Sequence, residues 1–176
     1  ADMASFTLPE PVDLAFNLMT SISYLLSTAE LHAHFASVAR ALRPGGVYVI
    51  ENNHPNDFWT RSHFQPSSWT QSDDELEVRM SWISEPPVID VVKQTYTITT
   101  RTEIGPARRD GAAPSDGPRR ELTDRAVLRM IWPQELKALA EAHGFSLAAF
   151  FGELSESVPI DAPEAWRTVA VLVRDR

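Results

Sequence analysis

Two short apolar runs flank a helix that carries its own start and stop signals, and this arrangement constrains the chain more than any other feature. Residues 12 to 19, Val-Asp-Leu-Ala-Phe-Asn-Leu-Met, are mostly apolar and follow the turn signal Pro9-Glu10-Pro11. They read as a buried strand of a parallel sheet. Ser27-Thr28-Ala29-Glu30 is a capping box: the Ser27 hydroxyl accepts from the Glu30 amide, and Glu30 reaches back to the cap amide. Leu31, Phe35, Val38 and Leu42 then share one helical face. On that register His32 and His34 fall on the outer face. Arg43-Pro44-Gly45-Gly46 is expected to stop the helix, with a basic residue at its negative end and glycines free to take positive φ. Val47-Tyr48-Val49-Ile50 is a second buried strand. Strand, helix, glycine turn and strand make a βαβ unit, so the two strands are parallel and the crossover is right-handed.

The pattern then changes. Residues 52 to 74 show no clear period and read as loop or short helix. Leu76, Val78, Met80 and Trp82 alternate with polar residues, and Val92, Gln94, Tyr96, Ile98 and Thr100 do the same, which predicts two strands. Residues 105 to 118, rich in Gly and Pro, read as a hairpin end. Residues 120 to 131 are a third strand. Three consecutive strands without helices between them form an antiparallel insertion. The α/β pattern returns with Pro133 in a first helical turn, Leu136, Leu139 and Ala140 on its apolar face, and Gly144 just past its end. Residues 147 to 151 and 168 to 173 are two closing strands. The expected divisions are 1–55, 56–131 and 132–176.

Composition narrows the class. The 176 residues are enough for one domain with a sizeable core. There is no Cys, which excludes disulfides, thiolate metal sites and a cysteine nucleophile. The net charge of −8 disfavours a nucleic-acid groove, which needs surplus cation. No apolar run approaches the roughly 18 residues of a membrane span, and no leader segment is evident. The expectation is a cytoplasmic protein without nucleic-acid or membrane partners. Gly45 is the first of only seven glycines, although a nucleotide fold spends glycines in its first strand-to-helix turn. An opening segment is therefore expected to be missing.

Ligands of open parallel sheets bind outside the carboxyl ends of the strands. Asn17, Leu18 and Met19, followed by Thr20, Ser21, Ser23 and Tyr24, lie at one such end. Glu51-Asn52-Asn53-His54 lies at the other. His54 is the candidate acid–base group, because imidazole titrates near neutral pH. The alternative is that His54-Pro55 is a structured turn. Trp59, Trp69 and Trp82 bracket the insertion's start, and Trp132 closes it. They either wall a pocket or pin the insertion. Arg101, Arg108, Arg109, Arg119 and Arg120 cluster at the hairpin end, where a solvated face is the default. No His or carboxylate spacing suggests a metal.

Residues 2 to 51, from Asp-Met-Ala-Ser-Phe to Val-Tyr-Val-Ile-Glu, together with 132 to 145, Trp-Pro-Gln-Glu-Leu-Lys-Ala-Leu-Ala-Glu-Ala-His-Gly-Phe, resemble a class I S-adenosylmethionine-dependent methyltransferase. The resemblance implies the later half of a Rossmann-like α/β sheet with an inserted antiparallel β lid like that of small-molecule methyltransferases. It implies S-adenosylmethionine as cofactor and S-adenosylhomocysteine as product. Asp2 would accept from the adenine amino group, and Met3 would flank the ring. Asn17 and Leu18 would line the methionine part. Met19 and Tyr24 would lie beside the methyl acceptor, with Trp59 and His63 in its pocket and His54 as base. The implied acceptor is a small molecule methylated at N or O, of the natural-product or amino-sugar kind. The family's Gly-rich cofactor loop has no counterpart here. About 80 residues, at ~30 per strand–helix unit, are expected upstream. They, or another chain, would pair the free sheet edge, and a homo-oligomer is left open. The competing class is a methyltransferase-like fragment that serves as a binding or assembly module without catalysis.

Overall fold

The structure is a computed structural model and describes residues 2–59, 66–107 and 118–175, with only the backbone of Trp59. His63, Arg108 and Arg109 lie outside the described residues. The chain divides into two compact units, Ala1–Ser62 with Leu128–Arg176, and His63–Val127.

The first unit is built on four strands, β1 (Val12–Asn17), β2 (Leu42–Asn53), β8 (Phe145–Phe151) and β9 (Arg167–Arg174), in the order β1-β2-β9-β8. β1 runs parallel to β2, with Leu14 beside Val47 and Asn17 beside Ile50. β9 runs antiparallel to both β2 and β8. Helix α1 (Thr28–Ala41) is the parallel crossover, and α3 (Pro133–Ala142) precedes β8. The Ser27 capping box is present: Ser27 Oγ accepts from the Glu30 amide at 3.1 Å, and Glu30 Oε2 accepts from the Ser27 amide at 2.8 Å. One sheet face buries Tyr48, Ile50, Ala170 and Leu172 against Leu31, Phe35 and Val38 of α1 and Leu136, Leu139 and Ala140 of α3. Arg129 joins the two helix starts. It donates to the Leu26 carbonyl at 3.3 Å and to Glu135 at 2.6 Å.

Four expectations for this unit are corrected. β1 ends at Asn17, so Leu18 and Met19 belong to the turn that follows. β1 is also not buried: Leu14 is 55% and Phe16 66% exposed. An apolar run shows only that a residue can be covered, and on this face no described element covers it. The glycine turn does not cap α1. The helix stops at Ala41, Leu42 is already extended, and the positive φ falls at Gly45 (80°) inside β2, where its register with β1 shifts between Val12 and Leu14. A side chain at Gly46 would lie 2.8 Å from the Arg43 carbonyl oxygen, so close backbone approach fixes that glycine. Finally, His34 is not on the outer face of α1. It is 3% exposed, one turn from Leu31 and Val38, and both ring nitrogens find partners.

The second unit is a five-stranded antiparallel sheet. Its order is β3 (Ser67–Ser72), β4 (Leu76–Trp82), β6 (Thr95–Pro106) and β5 (Val88–Asp90), with β7 (Arg120–Arg129) also paired to β6. β3 gave no period because all six of its residues are exposed. The strand expected from Val92 starts at Thr95. The Asp90 carboxylate accepts the Val92 and Lys93 amides at 3.1 and 2.9 Å, and Gln94 takes φ 54°, so these residues form a tight turn between β5 and β6. Two of the clustered arginines are matched by acids. Arg119 meets the buried Glu77 at 2.9 Å, and Arg101 pairs with Glu121.

Ser27→Ala should lower unfolding free energy by about 0.5–2 kcal/mol, since it removes one half of the capping box. Urea denaturation followed by circular dichroism reads this directly, and an unchanged midpoint would count against the cap.

Candidate functional site

The carboxyl ends of the parallel strands β1 and β2 lie side by side, because Asn17 pairs with Ile50. The turn after Asn17 therefore sits over Glu51, Asn52 and Asn53. Glu51 is buried. Its Oε2 accepts the Met19 amide at 2.5 Å, and its Oε1 meets Arg167 Nε at 3.0 Å. Arg167 is the first residue of β9 and also donates to Asn53 Oδ1 at 2.6 Å and Thr20 Oγ1 at 3.3 Å. The Trp166 ring lies 4.6 Å from the Arg167 guanidinium. Asn52 accepts from the Ser23 hydroxyl at 3.0 Å and donates to the Ile131 carbonyl at 3.3 Å. These bonds hold the turn in an unusual backbone: Met19 and Thr20 both take φ 58°, where non-glycine residues are costly. A 3₁₀ turn at Ser21–Tyr24 follows, with Ile22 and Ser23 buried.

The N-terminal segment meets this edge. Asn17 Nδ2 donates to Met3 Sδ at 3.1 Å, and the Met3 carbonyl accepts from His34. Asp2 is exposed, and its Oδ1 accepts the Ala4 amide at 2.8 Å in an Asx turn. Asn17 Oδ1 is buried and has no hydrogen-bond partner among the described residues. A buried acceptor without a partner is costly, and this one sits at the strand end where ligands of such sheets bind.

Of the residues anticipated, Met3, Asn17, Leu18 and Met19 are thus brought together, with Asp2 one residue beyond. The Met19 side chain is 83% exposed, and Tyr24 is exposed as well. His54 is buried at the start of α2 (Pro55–Trp59). Its Nε2 donates to the Ile160 carbonyl at 2.8 Å, and its Nδ1 accepts the Asn56 amide at 3.0 Å. Both ring nitrogens serve backbone groups, the arrangement of a structured turn. Trp59 ends α2. Phe58 beside it packs edge-on against Trp132, with centroids 5.5 Å apart. His32 Nδ1 and His143 Nε2 pair at 2.8 Å on the surface, and burial together with His32 lowers the His143 pKa. A shallow cleft lined by Lys137, Glu141, Phe145 and Asp175 lies near the start of β8, at the opposite end of the sheet.

Sequence reasoning placed Ser23 and Glu51 in the polar clusters at the two strand ends without giving either a role, and it did not single out Arg167. Glu51 carried one signal, a carboxylate inside an apolar strand end. Arg167 carried none, because its partners are far away in sequence.

Arg167→Met should destabilise the protein by about 3–5 kcal/mol, because it leaves the Glu51 carboxylate buried without its cation. Adding Glu51→Gln should recover most of that loss. Denaturation of the two variants checks it, and equal midpoints for single and double variants would contradict the pairing.

No family model matches the chain, and no curated relative does. Solved structures do match. The chain is similar to an S-adenosylmethionine-dependent methyltransferase from Clostridium acetobutylicum, with TM-score 0.68 at 14% identity over 100% of this chain and 63% of that one. It is similar to CalS10 of Micromonospora echinaspora, an amino pentose methyltransferase of calicheamicin biosynthesis solved with S-adenosylmethionine bound. The TM-score is 0.68 at 23% identity, over 99% of this chain and 63% of that one. It is similar also to the sugar N-methyltransferase KedS8 from a Streptoalloteichus species, with TM-score 0.70 at 22% identity over 100% and 61%. The chain spans under two thirds of the length of these relatives. The likeness is one of fold: the chain shares the Rossmann-like α/β fold of the corresponding part of these structures.

Proposed function

We propose that this chain is part of an enzyme that transfers a methyl group from S-adenosylmethionine to N or O of a small molecule, of the natural-product or amino-sugar kind. The observation that carries the reading is the junction of Met3, Asn17 and the Met19–Thr20 turn at the carboxyl ends of two parallel strands. The residues present fit the cofactor. The unpartnered Asn17 Oδ1 suits the ammonium of the methionine end, a charged donor. Asp2 spends one oxygen on the Ala4 amide, and a carboxylate keeps a second acceptor for the adenine amino group. Met3 lines the ring, and Leu18 the methionine chain.

When bound, the cofactor supplies a methyl group already activated by the sulfonium charge. What remains for the protein is alignment, worth roughly 7–11 kcal/mol of the barrier. Glu51 and Arg167 hold the turn that carries Met19, and Met19 and Tyr24 face the acceptor. His54 acts in this reading as a positioning residue that ties the start of α2 to the Ile160 loop. The antiparallel unit carries acceptor recognition, together with Trp59 and His63. The exposed Leu14 and Phe16 face is covered by a further segment or a second chain that also pairs the β1 edge.

The test is a calorimetric titration of the full-length protein with S-adenosylhomocysteine, followed by a methyl-transfer screen over amino sugars and hydroxylated natural products. Asn17→Leu should weaken binding about tenfold or more, the loss of a hydrogen bond to a charged group. Unaltered affinity would remove Asn17 from the site. Binding without turnover on any acceptor would favour the non-catalytic module.

A further inference from the structure

His34 is buried on α1, and its two ring nitrogens meet partners from distant parts of the chain. Nδ1 lies 2.8 Å from the Met3 carbonyl oxygen, and Nε2 lies 2.6 Å from the Tyr48 hydroxyl on β2. A carbonyl oxygen only accepts, so Nδ1 carries the proton. In a neutral ring Nε2 is then the acceptor, and the Tyr48 hydroxyl donates to it. The bonds run one way, from Tyr48 to His34 to Met3. The other end of Met3 is held by Asn17. A turn further along α1, Ser37 Oγ accepts the Phe6 amide at 3.4 Å, and the Phe6 ring stands 6.5 Å from that of His34.

We propose that His34 is a positioning residue whose neutral, Nδ1-protonated ring fixes the Met3 backbone in the place that the adenine end of the cofactor requires. The proposal rests on the methyltransferase reading given above. Among the described residues, the titratable group facing His34 is Tyr48 from β2. The N-terminal segment presents the Met3 carbonyl and the Phe6 ring, and α1 itself presents Phe35. A proton on Nε2 would point at the Tyr48 hydroxyl. That hydroxyl would have to turn its own proton into a core of Phe35 and Phe145. Burial holds the His34 pKa below the usual imidazole value, against the opposing pull of the Met3 carbonyl. A lowered pKa means that the neutral ring's contribution is complete above the ordinary imidazole value. It is lost as pH falls through the value in the folded protein. Cofactor affinity should decline on the acid side as well, because a proton on Nε2 opposes the Tyr48 hydroxyl and displaces the ring that holds Met3.

The experiment uses the full-length protein with His34→Asn, His34→Gln and Tyr48→Phe, and with His32→Gln as a surface control. Imidazole nitrogen NMR reads the tautomer, amide shifts read Met3 to Phe6, and calorimetry with S-adenosylhomocysteine runs from about pH 8 to about pH 5. The expected tautomer is Nδ1–H. His34→Asn places an N–H donor where Nδ1 stood and does not titrate. It should keep affinity within about twofold and flatten the acid limb. His34→Gln should shift the Met3 to Phe6 amides and weaken binding about threefold to tenfold near neutral pH, whereas Tyr48→Phe, which keeps the Nδ1–H donor as His34→Asn does, should keep affinity within about twofold. His32→Gln should change neither. An Nε2–H tautomer, an acid limb that survives in His34→Asn, or full affinity in His34→Gln would overturn the proposal. Failure of the parent protein to bind S-adenosylhomocysteine at any pH would overturn the methyltransferase reading and the adenine role with it. The tautomer and amide shifts would still decide whether His34 holds Met3.

Discussion

The buried Glu51 carboxylate is the constraint on which the candidate site depends. Removing a carboxylate from water costs several kcal/mol unless it is both paired and hydrogen-bonded. Glu51 meets both conditions through the Met19 amide and the Arg167 guanidinium. Those partners come from the turn after β1 and the start of β9, so one side chain ties three strands together at a single end. The same bonds support the left-handed backbone of Met19 and Thr20, where each residue costs on the order of 1–3 kcal/mol. Strain of that size persists where the surroundings over-determine it, and the network of Glu51, Asn53, Thr20 and Arg167 does so here.

A second constraint approaches from the N-terminal segment. Met3 is fixed at its carbonyl by α1 and at its sulfur by the end of β1. The helix that crosses over between the parallel strands therefore also places the segment that meets their carboxyl ends. Two functions of α1, covering the sheet and presenting Met3, fall on one face, which is why that face buries a histidine and a serine among its apolar residues.

The parts of this arrangement that are local in sequence were legible there. The capping box, the Leu31-Phe35-Val38 face and the Val47–Ile50 strand each declare themselves within a few residues, and together they give the parallel pair and its ligand edge. What long-range pairing decides was not legible. His34 looked outward although it lies one turn from Leu31 and Val38, because a polar side chain flanking an apolar face shows no local partner, and its acceptor and donor, Met3 and Tyr48, come from other parts of the chain. Leu14 and Phe16 looked buried because an apolar run does not say what covers it. β3 was missed because a fully exposed strand has no hydrophobic alternation, and the Asp90 turn because Val92 and Gln94 extend the apparent alternation of the next strand. His54 looked like a base because position and pKa range fit. One of its two backbone partners, the Ile160 carbonyl, belongs to a loop over a hundred residues later in the chain; the other, the Asn56 amide, is local.

The central claim is that the ends of β1 and β2, with the Asp2–Met3 segment, form a cofactor site. The most direct measurement is an amide-resolved NMR titration with S-adenosylhomocysteine. The account predicts shifts concentrated at residues 2–4, 17–20 and 51–53, with little change along α3 and β8. Shifts centred on the Lys137–Asp175 cleft, or none at saturating ligand, would contradict it.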